Sequence, residues 1–329
     1  LGGHVSTPPA NPRPRSVARG YVWSLVGRIG ATVFALGVES AHSHLLEPYE
    51  IGLAVAGLWL MGLLDYLADL GLGAALVQRT ELTAAQIAAA VQAIGLASLA
   101  LAGVMAVSAW PLATWYGNPA VAWVVLGMAP VFVLRGLAIP ARSLLQRDLA
   151  FRAISVADLV GAAGQVTLTV ALALSGWGVW AIVGGMYALE LARVVGYWFA
   201  SPVALSRRAD WSEIPSLMRF GGLVAAGTIL SYLFTNADYF MLGRFWDEAE
   251  LSQYFNGFRL GLYPAVAGGA VVYRVAYPAF VQLKHDPSAM GRRFLATSRQ
   301  MGMLLFPIAL VVAVTADDVV LAMYGPQWL

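Results

Sequence analysis

Arg28, Arg259 and Arg274 are embedded in stretches that are otherwise apolar, and Asn256 and Tyr263 share a helical face with Arg259. A guanidinium presents a rigid fork of donors that matches phosphate oxygens, and asparagine and tyrosine add groups suited to a phosphate or a sugar. Arg274 is offset from Arg259 by about 60° around a helix, so both line one broad surface. Arg28 lies about ten residues into its stretch, about 15 Å from the end, too deep for easy escape to an interface. It needs a partner or a cavity, because a charge inside a bilayer is costly. The chemistry these residues suggest is recognition of an anionic, hydroxyl-bearing ligand in a cationic cavity. A competing reading pairs each arginine with Glu39, Asp65 or Asp238 and leaves no ligand.

The acids form a second set. Glu39 and Asp238 stand near the ends of two apolar stretches, and Asp238 follows Asn236, a pairing able to coordinate a cation or exchange a proton. Structural pairing is the equal alternative. Asp65 and Asp69, four apart, share a face and either neutralise Arg28 or cap a helix contact. Arg135 and Arg193 lie about six residues from the ends of their stretches, roughly 9 Å, within snorkelling reach. Glu190 and Arg193, three apart, read as a structural pair, and Asp158 as structural too. With no cysteine and four scattered histidines, disulfides, thiolate metal sites and thiol nucleophiles are excluded. No cofactor or metal is expected. Gly71-x-Gly73 and Gly176-x-Gly178 lack the preceding strand and the full glycine pattern of a nucleotide loop.

The elements that must position these groups are helices in a bilayer. A membrane core needs about 20 apolar residues of helix, and nine stretches, near 18–42, 51–75, 84–111, 119–140, 153–174, 177–199, 217–242, 251–281 and 294–315, meet that length. Composition agrees: 59% of residues are hydrophobic and 12% charged, against about a quarter charged in soluble domains. The chain therefore reads as an all-α polytopic membrane protein. Its net charge of +2 gives no reason to expect nucleic acid. Residues 1–16, rich in proline and small residues, read as a disordered tail. A cleaved signal peptide is the rival reading of the first apolar stretch, but Arg28 interrupts that run, which then continues beyond it.

Orientation follows from the basic residues. Arg13, Arg15, Arg19, Arg79, Arg142, Arg147, Arg152, Arg207, Arg208, Arg219, Lys284, Arg292, Arg293 and Arg299 occupy alternate connections, and the opposite set holds Arg244 with Glu47, Glu50, Asp247, Glu248, Glu250, Asp317 and Asp318. The N-terminus is expected to be cytoplasmic, with odd stretches running outward. Small residues four apart, such as Gly27/Ala31, Ala157/Gly161 and Gly184/Ala188, read as generic helix packing in lipid. Trp110, Trp115, Tyr116, Trp246, Tyr324 and Trp328 read as interfacial anchors.

A weak internal repeat adds organisation. Arg19 to Gly52 aligns without a gap on Arg219 to Ser252, with Arg19/Arg219, Gly27/Gly227, Ile29/Ile229, Phe34/Phe234 and Glu50/Glu250 coinciding. The first and seventh stretches then correspond, which implies a six-helix lobe at 17–200, a cytoplasmic linker at 201–216 and the first three helices of a second lobe at 217–329. A chain that opens with leucine and stops just after an apolar segment is expected to be truncated at its C-terminal side.

Four segments carry a family resemblance. Leu45 to Gly52 (LLEPYEIG), Asp69 to Arg79 (DLGLGAALVQR), Leu144 to Arg152 (LLQRDLAFR) and Tyr324 to Trp328 (YGPQW) look like the recurrent segments of Wzx-type polysaccharide flippases, within the multidrug/oligosaccharidyl-lipid/polysaccharide exporter superfamily. Asn236 to Arg244 resembles the end of that family's seventh helix, while Leu251 to Tyr254 departs from the glycine usual in the following loop. The resemblance implies a two-lobed transporter of 12 to 14 helices in the bacterial inner (cytoplasmic) membrane. By that analogy it carries an undecaprenyl-pyrophosphate-linked oligosaccharide from the inner to the outer leaflet by alternating access, in the company of membrane lipids, a polysaccharide polymerase and glycosyltransferases. Arg28, Arg259 and Arg274 match the family's general cationic cavity. Sodium or proton coupling is common in the superfamily, and Asp238 is the candidate by position, with Glu39 its counterpart. Two alternatives stay open: a small-solute or drug exporter of the same superfamily, and an integral-membrane glycosyltransferase or polymerase. The arginines oppose a cationic drug, and no large outer loop is present to carry catalytic carboxylates.

Overall fold

A computed structural model describes residues 14–68, 72–78, 82–201, 211–212, 214–262, 280 and 286–328, and every regular element among them is helical. In chain order these are α1 (Pro14–Leu45), α2 (Pro48–Ala68), α3 (Leu72–Gln78), α4 (Ala84–Tyr116), α5 (Ala120–Met128), α6 (Val131–Arg147), α7 (Phe151–Leu174), α8 (Trp180–Ala200) and α9 (Ile214–Leu242). The run 248–262 is α10. It is followed by α11 (Pro287–Val314), α12 (Ala316–Met323) and a closing 3-10 turn, Pro326–Trp328. Among the described residues, four helical stretches are long and apolar enough to cross a membrane: Ala84–Tyr116, Ala120–Arg147, Phe151–Leu174 and Pro287–Val314.

Local chemistry sets several helix ends. Thr83 opens α4 with a capping box: its hydroxyl accepts from Gln86 N–H at 3.2 Å, and its own N–H donates to Gln86 Oε1 at 3.1 Å. The same helix stops at Gly117, whose φ of 74° is left-handed backbone that glycine adopts without strain. Asp286 caps α11, accepting from Ala289 N–H at 2.9 Å and the Ser288 hydroxyl at 2.8 Å, and these bonds hold its pKa below the usual aspartate value.

The fourth expected stretch is longer than its apolar run and is interrupted. Pro130 has no N–H to donate, so the ladder breaks between α5 and α6 and is bridged by shorter bonds, Phe132 N to Ala129 O at 3.2 Å and Val133 N to Pro130 O at 3.0 Å. The helix then continues through Pro140 to Arg147. In the second stretch the described residues are α2, ending at Ala68, and α3, beginning at Leu72.

By contacts the chain divides into two compact units, Leu1–Ala249 and Glu250–Leu329. In the first, α1 lies along α7, α7 along α8, and α6 packs on both α4 and α8, while α2 lies against α9, α5 and α4. Small residues allow the close crossings: a Cβ at Gly27 would stand 2.5 Å from Ser155 Oγ, and one at Gly196 2.7 Å from the Ala157 Cβ. Ser155 Oγ also donates to Trp23 O at 2.8 Å, tying α7 to α1. Phe132, Met128, Val121 and Ile94 are fully buried. The outer faces of α7 and α8 are apolar and exposed, with Phe199 at 90%, as suits a surface covered by hydrocarbon rather than water. In the second unit, α11 packs on α12 and α12 on the 3-10 turn, where Tyr324 and Trp328 are buried.

Candidate functional site

Five charged side chains from four helices meet in the first unit. Arg135 on α6 donates from Nε to Glu190 Oε1 on α8 at 3.1 Å, and from Nη1 to both carboxylate oxygens of Asp65 on α2. Glu190 also receives Arg193 Nη1 at 3.2 Å. Arg193 Nε in turn donates to Asp158 Oδ1 on α7 at 2.9 Å, and that oxygen accepts the Tyr197 hydroxyl at 2.6 Å. With Arg142, these groups line a cavity of about 420 Å³. Its six charges comprise the three arginines 135, 142 and 193 and the acids Asp65, Asp158 and Glu190. Charge balance and mutual hydrogen bonding are what let such groups stand among apolar helices.

The three carboxylates are not held alike. Glu190, with 5% of its side chain exposed, sits between two guanidinium groups. Asp158, at 20%, has an arginine and a tyrosine. Asp65 is the most open at 37%, and Arg135 is its one hydrogen-bond donor among the described residues.

The expectation that Arg135 and Arg193 snorkel is therefore corrected. Because α6 runs on to Arg147, Arg135 lies about 18 Å from the arginine-rich end of its helix at 1.5 Å per residue, and Arg193 is held sideways by Asp158 and Glu190. The Glu190–Arg193 pair is present as expected from their spacing. Asp65 neutralises Arg135, a partner that spacing along one helix does not reveal. The available signal was a set of opposite charges inside the apolar segments of four helices.

The other expected site residues are placed less fully. Arg28 belongs to α1, and its side chain lies outside the described residues, as do Tyr263, Arg274 and Asp69 entirely. Asn256 is buried, and Arg259 places its guanidinium over the Phe255 ring, 4.9 Å from the centroid. Glu39 is buried in the first unit, and Asp238 is half-buried on α9.

The end of the first unit that carries Glu47 and Glu248 is closed by aromatic side chains. Phe240 on α9 stacks against Trp59 on α2 and Trp115 on α4, both with centroids 4.8 Å apart. Tyr232 donates to Trp59 O at 2.9 Å and Tyr116 to Tyr239 O at 3.1 Å. Asn118 Nδ2 reaches Glu248 Oε1 at 2.7 Å and the Tyr49 hydroxyl at 3.1 Å. Trp115 and Tyr116 thus pack against α9, beyond the anchoring role expected of them.

The family described as "Polysaccharide biosynthesis protein" matches residues 43–329. The chain belongs to this family. Its similarities lie within the Wzx-type group named by the sequence resemblance. The chain is 25% identical over 328 residues to the succinoglycan biosynthesis transport protein ExoT of Rhizobium meliloti (strain 1021), covering 98% of this chain and 65% of that protein. It is 22% identical to the lipopolysaccharide biosynthesis protein WzxC of Escherichia coli (strain K12), covering 94% of this chain and 63% of that one. With the teichuronic acid biosynthesis protein TuaB of Bacillus subtilis (strain 168) it shares 23% identity, over 79% of this chain and 54% of that protein. The chain thus spans somewhat less than two thirds of the length of these relatives. No solved structure matches it.

Proposed function

We propose that this chain carries a lipid-linked oligosaccharide, borne on undecaprenyl pyrophosphate, across the bacterial cytoplasmic membrane by alternating access, for polysaccharide export. The observation that carries this reading is a charge-balanced cavity inside an apolar helix bundle, in a chain of the polysaccharide biosynthesis family. Such a cavity suits a polar head group. An apolar groove of about 880 Å³ between α7 and α8, with Arg152 at one end beside Ala150, Val156 and Phe199, suits a hydrocarbon chain. A substrate with both a charged head and a long tail meets both surfaces.

In this reading the N-terminus is cytoplasmic and the arginine-rich connections face the cytoplasm. Residues 17–200 form one lobe and 217–329 the start of a second, in a fold of 12 to 14 helices. At a stage of transport separate from the Arg135 cavity, Arg28, Arg259 and Arg274, aided by Asn256 and Tyr263, bind the pyrophosphate and adjoining sugar, and Asp238 with Glu39 couples transport to sodium or protons. Cells lacking the protein should lose surface glycan and accumulate its lipid-linked precursor. The wild-type gene should restore export, and Arg28→Ala or Arg259→Ala should not, although both variants insert in the membrane. Lysine at either position should restore part of it, keeping charge without the bidentate fork. Full export by both alanine variants would remove the cationic cavity from the mechanism.

A further inference from the structure

The unequal hold on the three carboxylates of the first-unit cavity has a chemical consequence. Arg135 is bound on one side by Glu190, which is almost wholly buried and shared with Arg193, and on the other by Asp65, the most exposed acid of the set. A buried carboxylate loses its guanidinium partners only at the full cost of an unpaired charge, whereas a partly exposed one is rehydrated as it leaves. Asp65 is therefore the ligand of Arg135 that exchanges. It departs into the cavity it already lines, and the Arg135 Nη1 donor it leaves is open to another anion.

We infer that this cavity is an anion-exchange site in which a phosphate or pyrophosphate group displaces Asp65 from Arg135, and that the exchange unlatches α2 from the block formed by α6, α7 and α8. The inference rests on the proposed lipid-linked substrate for the source of that group. Glu190 serves as the fixed brace: by holding Arg135 Nε and Arg193 Nη1 at 3.1 and 3.2 Å it keeps both guanidinium groups beside the cavity while Asp65 leaves. The mechanical half follows from where Asp65 is mounted. Its helix, α2, packs along α9, α5 and α4, while α6 packs on α4 and α8 and α7 on α8, so the Asp65–Arg135 pair is a charged tie between α2 and α6 beside their shared neighbour α4. Breaking it removes the charged tie between α2 and α6 and lets α2 shift against α8 about their packing on α4. Ligand binding and the change of access are thereby joined in one ion pair, as a differential interaction with two states requires.

The chain has no cysteine, which makes site-directed labelling direct. The first measurement is the affinity of inorganic pyrophosphate for the purified protein in lipid nanodiscs. Asp65→Asn removes the competing charge and should tighten binding about tenfold, the scale of one charge-assisted hydrogen bond. Arg135→Gln should lose binding, and Arg135→Lys should recover part of it. A purely structural role predicts the opposite sign, with Asp65→Asn binding pyrophosphate equally or more weakly, and that result overturns the exchange. The second measurement needs no change at Asp65: spin labels at Leu63→Cys on α2 and Leu191→Cys on α8 should move apart when pyrophosphate is added. An unchanged distance at saturating pyrophosphate overturns the latch. The two levels separate cleanly. Tighter binding by Asp65→Asn without any transport of lipid-linked glycan keeps the anion site and removes the substrate reading, and glycan transport with unaltered pyrophosphate affinity does the reverse.

Discussion

The indole of Trp115 lies almost parallel to the ring of Phe240, 7° between planes and 4.8 Å between centroids, while its Nε1–H donates to the carbonyl oxygen of Phe240 itself at 3.0 Å. One residue of α9 is thus held by both its side chain and its backbone. Because Phe240 also stacks on Trp59 at 4.8 Å, the ring bridges α2 and α4. Phe240→Ala should lower unfolding stability in mild detergent by about 1–3 kcal/mol, the scale of two lost stacked pairs. Phe240→Tyr, which keeps the stack, should stay near wild type. Equal stability of the alanine and wild-type proteins would remove this closure from the fold.

Gly52 on α2 sits against the backbone carbonyl of Glu248, so closely that any Cβ there collides with main chain rather than with a flexible side chain. Gly52→Ala should therefore destabilise, by about 1–3 kcal/mol as overpacking does. A matched control exists at Gly103 of α4, where a Cβ would meet nothing within 4 Å. There alanine should gain about 0.5–1 kcal/mol through helix propensity. Thermal unfolding of the two variants side by side should give opposite signs.

Removing Glu190 should hurt more than removing Asp158. Glu190→Gln takes from both Arg135 and Arg193 a carboxylate that is 5% exposed, and losing one partner of a buried pair costs about 3–5 kcal/mol. Asp158→Asn leaves Arg193 its bond to Glu190, and the more exposed site should lose less. Equal unfolding midpoints for the two variants would contradict the shared role of Glu190.

Topology is open to labelling in intact cells. Glu47→Cys and Asp247→Cys, both at exposed positions, should react with an impermeant thiol reagent, and Arg208→Cys should not. Reaction at position 208 with protection at position 47 would reverse the orientation drawn from the basic connections.

Asp238→Asn keeps shape and hydrogen bonding while removing charge from the candidate coupling position. Transport in proteoliposomes should lose its dependence on an imposed sodium or proton gradient while substrate affinity changes less than about threefold, well under the tenfold expected from losing a direct charged contact. Gradient-driven transport that is unaffected in this variant would leave Asp238 a packing role.

Much of this protein is legible without coordinates. The apolar runs, the alternation of basic connections and the segments around Glu47, Gln146 and Pro326 determine a helical membrane protein of its family, because hydrocarbon demands long uninterrupted helices. The pair Glu190 and Arg193 is legible for a related reason: residues three apart on a helix are neighbours whatever surrounds them. Tertiary structure alone decided the rest. Arg135 is close to an interface if its helix ends near Pro140, and only the continuation to Arg147 sets it far from the helix end. That Asp65 answers it depends on how α2 crosses α6, and that Phe240 closes against Trp59 and Trp115 depends on how α9 lies along α2 and α4. A charge inside an apolar helix announces that it needs a partner, but helix packing chooses which one, since residues seventy positions apart share no local geometry until the bundle forms.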